Sequence, residues 1–571
     1  MKRISLLLIA SLSVSNLVAQ IPSLNWVSQQ SGSSGETAKT IVVDDSGNSY
    51  ILGFYSGTLD LDPGPVVVNV TTVGSSDVYL VKLNSNGQFI WGKSYGSTGA
   101  DEGSTLCLDQ QGFLYITGFF LTTIDFSGGA GTLFLNSFGD FDAFLLKLDT
   151  AGNEVWAKQI GGFMGGEEGK SVVVDDSSNV YLAGVFSGSA DFDPSNNTLQ
   201  LTASGGSQLE GYVVKLDLNG NLVWAKQIGG TNSDASHYMA INANGDVFIT
   251  GTFRGIADLD PGTSTANFTS NGSDDVFIVK LDRNGNFIWA KSLGGSSSDL
   301  GHGITVDQFS NVIVTGQFSG NIDFDPGLGS VFLSSLGFYD SFVLKLDSSG
   351  NFMWVNRINS SSNVTSRFIK TDMLNQIYIT GSYTGTIDLN PDTTITQNVS
   401  NAGSDDIFVL KMDEKGIYAW GITMGGLNFD QATSIEVSDS LNVYLSGLFN
   451  STMDFDPSLG TTTLSPTSSR DAFIAKYSNP VNTSLSDLLD SSPSMLVYPN
   501  PTSKEVTIAL NGNDEKTTIT LYSMEGAILF NKEITNPSNL TSINIDGLAN
   551  GTYLLVASTK NSIERKKIII R

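Results

Sequence analysis

Pairs of aspartates separated by one residue recur along the chain, and they are the first residues whose type and spacing could do chemistry. They belong to a repeated pattern D-x-D-P-G, as in the stretch that begins at Asp323. The first aspartate is present in all seven copies, whereas Ser127 and Asn390 replace the second in two of them. The complete pairs are Asp60 and Asp62, Asp191 and Asp193, Asp258 and Asp260, Asp323 and Asp325, and Asp454 and Asp456.

Two carboxylates at positions i and i+2 beside turn carbonyls could begin a Ca²⁺ site, since this ion takes six to eight oxygen ligands. The alternative is structural, because an aspartate in a turn commonly accepts hydrogen bonds from nearby backbone N–H groups. No third regularly spaced carboxylate follows the pairs. Calcium is therefore the one cofactor that the sequence suggests, with the ten paired aspartates as its candidate ligands.

Basic residues form a second candidate site. One position of the repeat, at the start of its first predicted strand, carries a basic or imidazole side chain in five of seven copies: Lys39, Lys170, His237, His302 and Arg367. Ser104 and Thr433 occupy the other two copies. Such a group inside an otherwise acidic protein could hold an anion such as a sugar acid, a sulfate or a carboxylate. The alternative is that each basic residue pairs with the acidic residue three positions before it, as Glu36 precedes Lys39.

No catalytic residue is assigned from the sequence. A reaction centre is needed once, whereas the aspartate pair is copied into most repeats, which favours a role in folding. No Ser-His-Asp order, phosphate-binding loop or zinc motif is present. The two histidines alone make a poor zinc site without nearby cysteines. The sequence therefore leans away from an enzyme.

The spacing of the tryptophans shows which elements must position these residues. All seven tryptophans lie 65 to 68 residues apart, at positions 26, 91, 156, 224, 289, 354 and 420. A fixed period of this size is typical of solenoids and propellers. Each period alternates apolar and polar residues with strand spacing and contains turn residues, with no sustained helical pattern.

Four antiparallel strands in each of seven units predict an all-β protein with a seven-bladed β-propeller. The last unit lacks its fourth strand, and the orphan strand Leu24–Ser28 lies at the other end of the array. We therefore expect this N-terminal strand to close the propeller by pairing with residues 471–477, which would leave no open seam. The predicted propeller spans residues 20–479.

Charge and hydropathy restrict location and partners. The formal net charge of −27 repels phosphate backbones, so no nucleic-acid partner is expected. Residues 1–19 have a short basic start and an apolar stretch ending at Ala19, which predicts a secretory signal peptide. No later stretch is apolar for long enough to form a transmembrane segment.

The repeated order of Gly-Asn, Asp-Phe-Val-Lys-Leu-Asp and Trp-Ala-Lys resembles the bacterial β-propeller repeat family known as SBBP. The resemblance covers residues 20–479 and recurs in every unit. It implies a propeller but no particular reaction, because the family has no settled activity.

A separate module follows a polar linker at residues 480–495. Residues 496–571 read as short strands, which predicts a small β-sandwich. The module resembles the C-terminal sorting domain of the type IX secretion system of Bacteroidota. The residues that carry the resemblance are Tyr498, Pro499, Asn500, Pro501, Gly551, Tyr553, Lys566 and Lys567.

This resemblance implies export, recognition by the outer-membrane translocon, and removal of the tail by a sortase-like peptidase. The protein is then expected to be secreted or displayed on the outer-membrane surface. A carbohydrate-binding appendage is the alternative reading of the module. The predicted function is a binding or interaction scaffold for a glycan or protein ligand, and the alternative is an extracellular glycan-active enzyme that uses the mouth of the propeller channel.

Overall fold

The computed structural model describes most of the repeat region and seven stretches of the C-terminal part. These residues are 21–127, 133–392, 394–438, 442–480, 495–498, 505–510, 517–523, 528–534, 541–549, 551–558 and 563–570. The predicted signal peptide and residues 481–494 of the predicted linker lie outside them. The chain divides into two compact units, Met1–Pro480 and Val481–Arg571.

The first unit consists of antiparallel sheets, and within the described residues seven of them follow one plan of four strands. In each sheet the strands are lettered A to D in the order in which they pair. The strands are β2 (Glu36–Val43), β3 (Ser49–Tyr55), β6 (Asp77–Leu83) and β7 (Phe89–Tyr95); β8 (Glu102–Leu108), β9 (Phe113–Phe120), β12 (Asp142–Asp149) and β13 (Glu154–Met164); β14 (Glu167–Val174), β15 (Val180–Phe186), β18 (Glu210–Leu216) and β19 (Leu222–Gly230); β20 (Ala235–Ile241), β21 (Val247–Phe253), β24 (Asp275–Leu281) and β25 (Phe287–Leu293); β26 (Leu300–Val306), β27 (Val312–Phe318), β30 (Asp340–Leu346) and β31 (Phe352–Ser360); β32 (Asn363–Thr371), β33 (Ile377–Thr384), β36 (Asp406–Met412) and β37 (Tyr418–Met424); and β38 (Asp430–Val437), β39 (Asn442–Phe449), β42 (Asp471–Ser478) and β1 (Ser23–Gly32).

The seventh sheet takes its fourth strand from the other end of the array, as predicted. Strand β1 pairs antiparallel with β42, so that Trp26 lies opposite Lys476 and Gln30 opposite Ala472. The first strands contact one another in chain order, and β2 also contacts β38. Thr433 donates from Oγ1 to the Ala38 carbonyl oxygen at 2.5 Å, which joins the seventh sheet to the first.

Apolar cores lie between consecutive sheets. The core between the first two sheets, for example, contains Tyr50 and Leu80 from one and Ile116 and Phe144 from the other. The B and C strands are therefore buried on both faces, which explains their continuous apolar runs such as Val276–Val279. Most D-strand residues are half-buried, as in Phe287–Leu293.

The long link between strands B and C folds back as a two-stranded arm in every sheet. The arm of the first sheet also pairs with β1, where Ser31 lies opposite Asp60. The arms are β4 (Thr58–Asp60) and β5 (Asn69–Thr71); β10 (Thr123–Asp125) and β11 (Phe134–Asn136); β16 (Ser189–Asp191) and β17 (Gln200–Thr202); β22 (Ile256–Asp258) and β23 (Asn267–Thr269); β28 (Asn321–Asp323) and β29 (Phe332–Ser334); β34 (Thr386–Asp388) and β35 (Asn398–Ser400); and β40 (Met453–Asp454) and β41 (Thr463–Leu464).

The C-terminal unit contains two antiparallel sheets. One has β43 (Met495–Tyr498), β44 (Glu505–Leu510) and β47 (Thr541–Asn544); the other has β45 (Thr517–Ser523), β46 (Ile528–Ile534), β48 (Gly551–Ser558) and β49 (Ile563–Ile570). Side chains of both sheets, such as Ile508 and Leu555, share one apolar core. Across the described residues the chain contains no helix, and hence none long and apolar enough to span a membrane.

Candidate functional site

The basic position of the repeat coincides with a β-bulge in the first strand of each sheet. In β2 the pairing with β3 steps from Ala38 to Thr40, so Lys39 is an extra, unpaired residue. A bulge re-aims one side chain and often borders a binding site. The bulged residues are Lys39, Ser104, Lys170, His237, His302, Arg367 and Thr433.

A glycine opposite each bulge makes this backbone geometry possible. A Cβ atom on Gly53 would lie 2.1 Å from the Thr37 carbonyl oxygen, and one on Gly118 would lie 1.9 Å from that of Glu102. Both distances are far below van der Waals contact, so any larger residue would push the A strand away. The glycine at this position of each B strand therefore permits the bulge.

Side chains from six of the seven sheets, five of them bulged residues, line one cavity of about 140 Å³. We call this the central cavity. Its lining residues are Lys39, Ser104, Tyr238, His302, Arg367, Phe368, Gln431 and Thr433.

Two of the five predicted residues lie beside this cavity rather than on its lining. The His237 ring is 6.3 Å from the His302 ring. Lys170 forms an ion pair with Glu168, with Nζ and Oε1 2.7 Å apart. The structure thus places three predicted anion-binding residues on the cavity wall and the other two next to it.

The alternative hypothesis paired each basic residue with the acidic residue three positions before it. The structure shows other partners for these residues. Lys170 pairs with Glu168, two positions before it, while Glu167 accepts a backbone hydrogen bond from Gly162 at 3.0 Å. Asp234 and Asp299 likewise accept backbone N–H groups. Residues two apart share a face of a strand and residues three apart do not, which explains the difference.

Burial sets the protonation of the cavity residues. It lowers the pKa of His302 to about 3, with further lowering by the charges of Arg367 and His237. Burial also lowers the pKa of His237, of Lys39 and of Arg367. Both imidazoles are therefore neutral at pH 7, and the cavity keeps the positive charges of its lysine and arginine.

Hydrogen bonds fix which imidazole nitrogen faces away from the backbone. His302 Nδ1 lies 3.1 Å from the Ser366 carbonyl oxygen, and His237 Nδ1 lies 2.9 Å from that of Gly301. A carbonyl oxygen only accepts, so each Nδ1 carries the proton and each Nε2 is an acceptor. The central cavity therefore offers cationic donors together with a neutral acceptor at His302.

The aspartate pairs of the D-x-D-P-G pattern use carboxylate oxygens to accept hydrogen bonds from backbone N–H groups. Asp60 Oδ1 accepts from the N–H groups of Asp62 at 3.2 Å and Val68 at 2.8 Å, and Asp62 Oδ1 accepts from Gly64 at 2.8 Å. The other four complete pairs, at 191 and 193, 258 and 260, 323 and 325, and 454 and 456, repeat this arrangement. Among the described residues no three His, Cys, Asp or Glu side chains converge as a metal site. Calcium binding stays a prediction.

The sorting-signal residues are described in part. Tyr498 ends β43, whereas Pro499, Asn500 and Pro501 lie outside the described residues. Gly551 and Tyr553 lie in β48, and the Tyr553 hydroxyl donates to the Ala549 carbonyl oxygen at 2.7 Å. Lys566 and Lys567 lie in β49, with Lys566 exposed.

Comparison with known proteins identifies the C-terminal module. Residues 496–571 match the family described as "Secretion system C-terminal sorting domain", Por_Secre_tail. The chain therefore carries a type IX secretion sorting domain, which interacts with the secretion system, and the protein is exported to the cell surface or secreted.

The chain is similar to a WD repeat-containing protein of Acanthamoeba polyphaga mimivirus, with 22% identity over 485 residues, covering 72% of this chain and 35% of the viral protein. The chain thus spans about a third of that relative's length. Two structures of the extracellular domain of BT4673, a two-component and a one-component system of B. thetaiotaomicron, have 12% and 11% identity. They cover 94% and 93% of this chain and 86% and 90% of theirs, with TM-scores of 0.17 and 0.15.

Proposed function

We propose that the repeat region, residues 20–479, is a seven-bladed β-propeller of the SBBP type, closed by β1. It acts at the cell surface as a binding scaffold whose ligand site is the central cavity. A signal peptide at residues 1–19 starts export. The C-terminal module, which follows the linker at residues 480–495, is recognised by the outer-membrane translocon and is then removed by a sortase-like peptidase. The pairing of β1 with β42 and the contact between β2 and β38 support this architecture.

The observation that carries the function is the convergence of bulged side chains on one cavity. Lys39 and Arg367 form no ion pair within 4.0 Å anywhere in the described part of the chain. The Arg367 guanidinium instead reaches the Gln431 amide, whose oxygen accepts from Nη2 at 3.2 Å when it faces the arginine. Such cations favour a ligand with an anionic group, such as a sugar acid, a sulfate or a carboxylate, on a glycan or a protein.

The alternative, a glycan-active enzyme, is favoured by one observation. Glu102 and Glu168 interact electrostatically beside the cavity, and burial raises the pKa of Glu102. Hydrolysis of a glycosidic bond uses two carboxyl groups of different pKa. Lys39 and Lys170 oppose this rise, which weakens the case for Glu102 as a general acid.

Calorimetric titration of the purified protein with glucuronate, sulfate and a panel of acidic polysaccharides tests the proposal. The double variant K39A/R367A should weaken binding of the anionic probes by about tenfold or more. The variant K415A, at an exposed lysine, is the matched control and should bind normally. Unchanged binding in the double variant would reject the cavity as the ligand site, and release of products from a polysaccharide would favour the enzyme.

A further inference from the structure

Buried acidic residues meet at the junctions between consecutive sheets. At each junction the backbone N–H at the start of an A strand donates to a carbonyl just before the C strand of the preceding sheet, as Asp101 does to Ser76 at 2.9 Å. This bond places two acidic side chains next to each other at six of the seven junctions. The pairs are Asp77 and Asp101, Asp142 and Glu167, Glu210 and Asp234, Asp275 and Asp299, Asp406 and Asp430, and Asp471 and Glu36.

All twelve side chains are buried, with relative exposures of 3% or less. None of them forms an ion pair within 4.0 Å among the described residues. Two adjacent carboxylates in a medium of low dielectric constant repel each other strongly, and each loses its hydration. Six such pairs would be a severe penalty if every group were ionised.

The two members of the pair of Asp275 and Asp299 have different hydrogen bonds. Asp299, on an A strand, accepts through both oxygens, from the N–H groups of Gly295 at 2.8 Å and Ser319 at 2.9 Å. Its neighbour Asp275 accepts through Oδ2 from Asn271, while Oδ1 is buried without a partner in the described structure. Further buried oxygens without a partner there are Asp77 Oδ1, Asp142 Oδ1, Asp406 Oδ1, Glu167 Oε1 and both oxygens of Glu36.

The remaining junction, between the fifth and sixth sheets, has only one acidic residue. It shows how the charge of a single buried carboxylate is compensated. There Val364 stands where the other A strands carry the acid, and its N–H donates to Tyr339. The remaining acid, Asp340, faces Arg357, with Nε 3.8 Å from Oδ2. A cationic side chain thus contacts the one unpaired acid, and within the described residues none forms an ion pair with the six pairs.

We propose that the two acid pairs with a glutamate on the A strand, Asp142 with Glu167 and Asp471 with Glu36, each hold one proton shared between their carboxyl groups at neutral pH. The proton turns a buried oxygen without a partner into a donor and removes one of two adjacent charges. A bound cation is a poorer fit, because backbone N–H groups already point at these carboxylates and, among the described residues, no third acidic ligand joins them. At these two junctions the packing of neighbouring sheets is then strongest at acidic pH.

The charges around the pair of Asp142 and Glu167 agree with a proton held there. Burial and the Asp142 charge raise the pKa of Glu167 to about 9, and Asp140 adds to the rise. Burial raises the pKa of Asp142 to about 6 against the hydrogen bond from Gln159. The Tyr212 phenol is the other titratable group that interacts with Glu167.

The raised pKa values determine how the stability of the folded protein changes with pH. The folded state holds a proton that the unfolded chain releases above its ordinary glutamate pKa of about 4.5. The stabilisation is therefore complete below about pH 4.5 and is lost as the pH rises toward about 9.

Infrared spectroscopy of the full chain and thermal melts test the proposal. At pH 7.5 the wild type should show the carbonyl stretch of protonated carboxylic acids, and E167Q should lose part of it. The melting temperature of the wild type should fall between pH 5.5 and pH 9, and E167Q should fall less. The control E414Q removes an exposed glutamate and should match the wild type in both respects.

If E167Q does not fold, D142N at the same junction provides the same comparison. Absence of the protonated-acid signal from the wild type at pH 7.5 would overturn the proposal. So would a stoichiometric metal found by elemental analysis, if its removal lowers the melting temperature, because a cation would then replace the shared proton.

Discussion

Trp26 and Lys476, from opposite ends of the repeat region, donate to the same carbonyl oxygen. Trp26 Nε1 and Lys476 Nζ each lie 3.1 Å from the Ser85 oxygen in the first sheet. The same arrangement joins earlier sheets: Trp91 and Lys82 both donate to the Thr150 oxygen. Such pairs of lysine and tryptophan connect one sheet to the next in four of the described steps, and the step from the seventh sheet to the first is one of the four.

This connection predicts a difference between two tryptophan substitutions. W26F removes the hydrogen bond to Ser85, whereas W156F removes an Nε1 that is buried without a partner in the described structure. Both lose the same ring volume, so W26F should cost about 1 kcal/mol more in the free energy of unfolding. Urea denaturation of the two variants measures this, and equal losses would contradict the role of the bond.

The ion pair of Lys345 and Asp307 should be important for stability. Its Nζ and Oδ2 atoms are 2.8 Å apart, and the two side chains are 4% and 1% exposed. K345M leaves a buried carboxylate without its cation and should cost about 3 kcal/mol. The half-exposed pair of Arg254 and Asp274 is the control, because R254A should cost about 0.5 kcal/mol. Chemical denaturation compares the two, and similar losses would argue against the buried pair.

The neutral state of His302 has a measurable consequence at acidic pH. In the folded protein the pKa of His302 is lowered to about 3, whereas in the unfolded chain it is about 6.5. Between these values the unfolded chain binds a proton that the folded protein does not bind. The stability contributed by this residue is present above pH 6.5 and is lost as the pH falls toward 3. NMR should show no titration of the His302 ring between pH 7 and 5, and H302Q should melt with a smaller loss on acidification. A ring that titrates near pH 6.5 would contradict its burial.

Calcium removal separates the two readings of the aspartate pairs. Asp60 Oδ1 and its counterparts accept two backbone N–H groups each, and the second aspartates accept one. If these bonds are the whole role of the pairs, the melting temperature is the same in chelator and in millimolar Ca²⁺. A rise with calcium that D60N/D62N reduces would instead establish the arms as calcium sites.

The sequence was sufficient for the units and their strands, because the tryptophan period and the turn residues are local signals. It also selected the position that lines the central cavity, since Lys39, His302 and Arg367 align within the period. It did not reveal the bulge, which is a backbone feature with only the opposite glycine, such as Gly53, as its signal. The acid pairs were missed for another reason: residues such as Asp77 and Asp101 belong to different repeats and meet only when sheets pack.

The place of β1 restricts how this protein can fold as it is made. Gln29 donates from Nε2 to Asp471 at 2.5 Å, although 442 positions separate them in the chain. A ribosome or translocon delivers the amino end first, so the part of β1 that pairs with β42 must remain without that partner until nearly the whole array has emerged. A truncated product that stops before β42 leaves this strand without its partner and exposes two strand edges, which makes such fragments prone to aggregation.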